Sequence, residues 1–172
     1  MADTAVNERM EWLRGVLGRF ERPLLVYARG LTGNIESARE VVQDTFLRLC
    51  ARNQAELDGH VGQWLFTTCR NRAFDVRRKE RRMRLVLKEP PPGNRVGGID
   101  PAVKLEVDET GERIRRVLEG LPESQREVVL LRFQGSLSYK EIAAVTGLSV
   151  SNVGFLLHTA IKTIRERMSE QS

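Results

Sequence analysis

Four of the six prolines stand at Pro90, Pro91, Pro92 and Pro101. Together with Gly93, Gly97 and Gly98 they leave residues 88–101 unable to sustain a helix or a strand. Such a stretch has the composition of an extended, flexible tether, and it divides the chain into two blocks. On both sides the apolar residues recur at steps of three and four, and neither side alternates as strands do. The expected architecture is all-α: two small helical domains at 8–86 and 103–170, joined by a Pro/Gly linker at 87–102.

In the first block, the spacing predicts a helix over 8–21, a break at Pro23 and a second piece from Pro23 to Leu31 that stops at Gly33. Asn34 is placed to cap the next helix, with Glu36 in its positive first turn, and that helix is expected to run to about Arg52. A loop over 53–59 leads into a long helix over 60–84, on which Val61, Trp64, Leu65 and Thr68 share one face. At 100° per residue, Arg70, Arg77 and Arg81 fall on the side opposite Val61 and Leu65.

In the second block, Ile114, Val117, Leu118 and Leu121 mark a helix ending at Gly120, and a further helix over 123–133 ends at Gly135. Ser138, Tyr139, Lys140 and Glu141 have the form of a capping box opening a short helix to Thr146. Gly147 supplies a left-handed turn, and Ser149 caps a last helix whose seam is Val150, Val153, Leu157, Ala160, Ile164 and Met168. A short helix, a glycine turn and a longer helix make a helix-turn-helix.

The charge is unevenly placed. Residues 70–88 hold nine basic and two acidic side chains, so this stretch carries +7 while each flank carries −1, and the chain totals +5. A local cationic stripe of this kind suits a polyanion. Two cysteines, Cys50 and Cys69, and two histidines do not make a disulfide framework or a zinc site of the usual spacing, so no metal and no cofactor is expected. The phosphate-binding glycine loop, the nucleophile elbow and the metalloprotease histidine pair are all missing, which argues against an enzyme. The N-terminus lacks the order of a secretion signal, and the apolar runs are too short to span a bilayer, so a cytoplasmic protein without membrane insertion is expected.

Four motifs bring a resemblance. Arg39-Glu40-Val41-Val42-Gln43-Asp44-Thr45-Phe46-Leu47-Arg48-Leu49 comes first, then Trp64-Leu65-Phe66 followed by Arg70-Asn71-Arg72. Leu121-Pro122-Glu123-Ser124-Gln125-Arg126-Glu127-Val128 and Leu137-Ser138-Tyr139-Lys140-Glu141-Ile142-Ala143 follow in the second block. In this order they resemble the two conserved domains of extracytoplasmic-function sigma factors, over about residues 10–85 and 106–168.

The resemblance implies a bacterial protein that binds core RNA polymerase and directs promoter recognition, DNA melting and initiation, with an anti-sigma factor as a controlling partner. It implies that Glu40, Gln43, Asp44 and Arg48 dock on the polymerase, with Gln43 and Asp44 exposed. It further implies that the loop of Asp58, Gly59, His60 and Val61, with Asn71, captures a base of the downstream promoter element, while Arg70, Arg77, Arg78 and Arg81 hold phosphates. Trp64 lies on the apolar face and reads as core.

The last helix is expected to read the upstream element through Ser149, Ser151, Asn152, Phe155, His158 and Lys162. Two features depart from the family pattern. Residues 149–161 carry no charged side chain, and Cys50 replaces a common tryptophan, where a small buried thiol is expected. Two other readings compete. One is a stand-alone helix-turn-helix regulator acting as a dimer, and the other is a protein-interaction module using Phe155 and Leu156.

Overall fold

The computed structural model describes residues 2–91 and 109–170, with side chains from Thr4 onward. The expected tether, apart from its first residues, and the expected start of the second block at 103 lie outside the described residues. Every regular element described is helical: α1 (Ala2–Thr32), α2 (Ile35–Cys50), a 3₁₀ turn (Gln54–Leu57), α3 (Val61–Leu87), α4 (Glu109–Glu119), α5 (Glu123–Phe133), α6 (Tyr139–Thr146) and α7 (Val150–Glu170).

The break expected at Pro23 does not occur, because α1 runs through it as one helix. An interior proline costs about 3 kcal/mol through its missing donor and its ring. Val16 and Phe20 before it, and Leu24, Tyr27, Ala28 and Leu31 after it, form one buried face. Each large side chain there contributes roughly 1.5–3 kcal/mol on burial, so packing on both sides outweighs the local defect.

Elsewhere the local signals act as expected. Gly33 ends α1 at φ +80°, and the Asn34 side chain accepts from the Ser37 amide at 2.7 Å to start α2. The capping box at α6 is complete: the Glu141 amide donates to Ser138 Oγ at 3.2 Å, and the Ser138 amide donates to Glu141 Oε2 at 2.7 Å. Gly147, at φ +76°, then turns the chain so that α7 leaves at 105° to α6. Ser149 Oγ accepts from the Asn152 amide at 3.1 Å. The seam of α7 is narrower than expected: Val153, Leu157 and Ala160 are buried, but Val150 is about half exposed.

α1, α2 and α3 pack as a three-helix layer, and α4 to α7 form the second block, yet a single apolar cluster runs through both. α5 lies against α1, and α6 lies against α3. Small residues set how closely they approach: a Cβ on Gly30 of α1 would stand 2.9 Å from Leu130 Cδ1 of α5, and a Cβ on Gly135 would stand 3.0 Å from Phe66 of α3. Phe66 in turn meets Tyr27 edge to face at 5.3 Å between centroids.

Cys50, expected as a buried thiol, is exposed. Val42, Thr45 and Leu49 turn inward at steps of three and four, and the next residue is rotated 100° away from that face. Cys69, on the inner face of α3, is the buried thiol, and burial pushes its pKa up to about 12.

Candidate polymerase and promoter interface

α2 buries Val41, Val42, Thr45 and Leu49 and turns its other side outward. On that side Glu40, Gln43 and Arg48 are exposed, whereas Asp44 is half-buried, which corrects its expected exposure. The cause is a residue that sequence reading assigned no role. Arg72 of α3 sets its Nε 3.1 Å from Asp44 Oδ2 and reaches Glu40 at 3.7 Å, while Arg48 Nε lies 3.2 Å from the same Asp44 oxygen. Two guanidinium groups therefore set their charge against the Asp44 carboxylate, one from α3 and one from α2 itself, without an aligned hydrogen bond to its buried Oδ2. Leu47, 62% exposed, falls three and four residues from Asp44 and Gln43 and puts an apolar side chain in the middle of this polar face. Its spacing was the available signal.

The loop before α3 is built on a firm base. Asn53 Oδ1 accepts from the Ala55 amide at 3.1 Å, and the buried Leu57 pins the 3₁₀ turn. Arg9 of α1 donates to the carbonyls of Cys50 and Arg52 at 2.7 and 2.8 Å and so holds the end of α2. Asp58, Gly59 and His60 stand exposed above this base, and Gly59 takes a φ of +77° that an L side chain would strain. Val61, half-buried, opens α3. Trp64 packs on the core as expected, and Arg52 lies over its ring at 5.7 Å.

The basic face of α3 is not uniform. Asn71, Arg78 and Arg81 are exposed, and Arg78 pairs with Asp75 one turn back on its own helix. Arg70 and Arg77, in contrast, reach across to α5. Arg77 meets Glu123 Oε1 at 2.6 Å. Arg70 Nε donates to Glu127 Oε1 at 2.7 Å, and the Tyr27 hydroxyl donates to the same oxygen at 2.8 Å. Both guanidinium groups lie over the Phe74 ring, at 4.6 and 5.5 Å.

Burial raises the Tyr27 pKa well above its ordinary value, and the charge of Glu127 raises it further, so Tyr27 remains a donor. Burial alone would lower the Arg70 pKa, but the hydrogen bond and charge of Glu127 outweigh it and the net direction is upward.

On α7, Ser151, Asn152, Phe155, His158 and Lys162 are all exposed, and Phe155 is 66% exposed. Positions 151, 155, 158 and 162 follow one another at steps of four and three, so they form a single outward stripe. Ser149 is exposed, but its side chain is engaged in capping the helix. Lys162 lies 3.9 Å from Glu166 on the surface of its own helix. No single helix among the described residues is long and apolar enough to cross a membrane.

A three-helix layer with an outward polar α2 face and a basic α3, followed by a helix-turn-helix, is the two-part plan of a promoter-specificity factor, and comparison with known proteins agrees. Residues 16–83 match Sigma-70 region 2, and residues 111–164 match Sigma-70 region 4. The chain is 33% identical to the ECF RNA polymerase sigma factor RpoE of Cereibacter sphaeroides over 63% of its own length and 59% of that protein. It is 30% identical to SigL of Mycobacterium tuberculosis over 84% of its length and 81% of SigL.

Among solved structures, the sigma factor RpoE from Bartonella quintana, in complex with the anti-sigma factor NepR, superposes with a TM-score of 0.72 at 23% identity, covering 92% of this chain and 97% of that one. CnrH, in complex with the cytosolic domain of CnrY, gives 0.60 at 23% identity, covering 99% and 96%. The chain belongs to the extracytoplasmic-function sigma factors of bacterial RNA polymerase.

Proposed function

We propose that this chain acts in the cytoplasm as a non-catalytic subunit that joins core RNA polymerase, carries it to promoters and helps open the DNA there. The observation that carries this reading is a division of surfaces within one block. The α2 face of Glu40, Gln43, Leu47 and Arg48, with Asp44 set behind it, is shaped for a protein, while α3 on its far side is cationic. An apolar residue ringed by polar ones is the usual anatomy of a protein contact. Arg78, Arg81 and their neighbours suit phosphates.

The loop of Asp58, Gly59, His60 and Val61, with Asn71, is assigned to the downstream element, and the stripe of Ser151, Asn152, Phe155 and His158 on α7 to the upstream one. NepR and CnrY, bound to the two structural neighbours, support an anti-sigma protein as a partner here as well.

The test is reconstitution. The purified chain added to core polymerase should yield transcripts that start at defined promoters. Gln43→Ala combined with Leu47→Asp should abolish co-elution with core enzyme while leaving the helical circular dichroism and melting temperature near wild type, since both residues are exposed. Co-elution retained by the double variant would reject the docking face.

A further inference from the structure

Arg72 stands on the edge of a seam that is otherwise apolar. Leu65, Cys69 and Val76 of α3 are buried, and Arg72 falls three residues after Cys69 and four before Val76. Its side chain is only 30% exposed. A hydrophobic side chain of similar volume would fill such a place without the cost of desolvating a charge. The neighbouring arginines turn elsewhere, Arg70 and Arg77 to α5 and Arg78 to Asp75 on its own helix. Arg72 turns to α2.

There it meets two acids one helical turn apart, with Nε 3.1 Å from Asp44 Oδ2 and Nη2 3.7 Å from Glu40 Oε1. Asp44 Oδ2 and Arg72 Nε are both buried and neither has an aligned hydrogen bond, so what joins them is charge, acting where water screens it least. Arg48 lies 3.2 Å from the same oxygen but is 56% exposed, which makes it the weaker holder. The Asp44 side chain is still 32% exposed. With Oδ2 buried, that exposure belongs to the rest of the side chain, beside the exposed Gln43 and Leu47.

We propose that Arg72 is a positioning residue for polymerase docking: from α3 it draws one oxygen of Asp44 inward and so presents the other, beside Glu40 and Gln43, in the arrangement that core polymerase meets. The proposal rests on α2 being the docking face. A carboxylate set before the encounter loses less conformational freedom on binding, and the complex then lasts longer. Arg72 thereby belongs to the polymerase side of the block, although it lies within the basic stripe and next to Asn71, and it holds no phosphate.

The test is a double-mutant cycle on the full chain, read as the rate of dissociation from core polymerase and as the melting temperature. Arg72→Met fills the seam and removes the charge. It should speed dissociation about tenfold while leaving the melting temperature near wild type, since Arg48 remains to Asp44. Asp44→Asn should cost about as much. The double variant should be little worse than Asp44→Asn alone, because Arg72 acts through that carboxylate. Arg72→Lys keeps the charge but lacks the planar group that reaches two carboxylates, and should give a smaller loss that again vanishes beside Asp44→Asn.

A second readout separates this role from DNA contact. Promoter binding by polymerase loaded with the Arg72→Met chain should keep the wild-type log–log salt slope, whereas loss of a phosphate contact would lower it by about one unit. Such a fall refutes the positioning role. So does a loss that persists in full beside Asp44→Asn, which would mean that Arg72 touches the polymerase itself, and so does a dissociation rate unchanged in both Arg72 variants, which would leave Arg72 a merely structural residue. If neither Asp44→Asn nor Gln43→Ala with Leu47→Asp speeds dissociation, it is the docking face on α2 that fails.

Discussion

α3 and α7 are the two helices we propose to meet DNA, and they are built on opposite terms. α3 has the charge but limited access: Arg70 and Arg77 are engaged by α5, and the exposed cations begin at Arg78, itself paired with Asp75 on the same helix. α7 has the access but little charge: residues 149–161 carry none, and Phe155 stands more exposed than any other aromatic side chain described. On the proposed assignment, the difference makes affinity and reading separable. Phosphate contact supplies salt-sensitive binding without regard to sequence, whereas base edges supply discrimination.

The largest effect should come from the charged helix. Replacing Arg78, Arg81 and Arg82 together by Gln should lower the log–log salt slope of polymerase-bound promoter affinity by about three units, on the order of 100-fold near 0.1 M salt, equally at all promoters. A loss confined to one promoter, with the slope unchanged, would break the division of labour.

A smaller and selective effect is expected on α7. Asn152→Ala or Phe155→Ala should reduce discrimination at one or two upstream bases by about 1–3 kcal/mol, with the salt slope unchanged. Competition between matched and single-base-changed duplexes measures this, and a uniform loss across sequences would show that α7 merely adds affinity.

The smallest effect concerns the inner and outer surfaces of the first block. Cys50 should react with a thiol reagent in the native protein at pH 8, and Cys69 only after denaturation. Because the folded Cys69 pKa is raised from 9.0 to about 12, the native state keeps a proton that the unfolded chain releases. Stability from this group is therefore full below pH 9 and declines as pH rises toward 12. Denaturant titrations at pH 8 and 10.5 should show that decline, and Cys69→Ala should remove part of it.

Much of the local structure was legible from neighbouring residues. Asn34, Ser138 with Glu141, Gly147 and Ser149 each act within four residues of themselves, and each does what its chemistry dictates. Where the reading failed, a longer-range term had won. At Pro23 the local penalty is visible in the sequence and points to a break, while the buried face that overrides it is a sum over α1 as a whole. Cys50 is exposed because the 100° step from the inward-facing Leu49 decides its side, not the family position it occupies.

By itself, the sequence determined the helices, their caps, the turn between α6 and α7, the cationic stripe and the motifs that place the chain in its family. These rest on periodicity and on side chains acting over one or two turns. Only the tertiary structure decided which charges are available. Arg72 finds Asp44 across two helices, Arg70 finds Glu127 57 residues away, and Tyr27 reaches that same carboxylate over 100 residues. No spacing rule connects such residues, because their proximity follows from how apolar faces pack, and that packing converts two of the stripe's cations from solvent-facing charges into partners of α5.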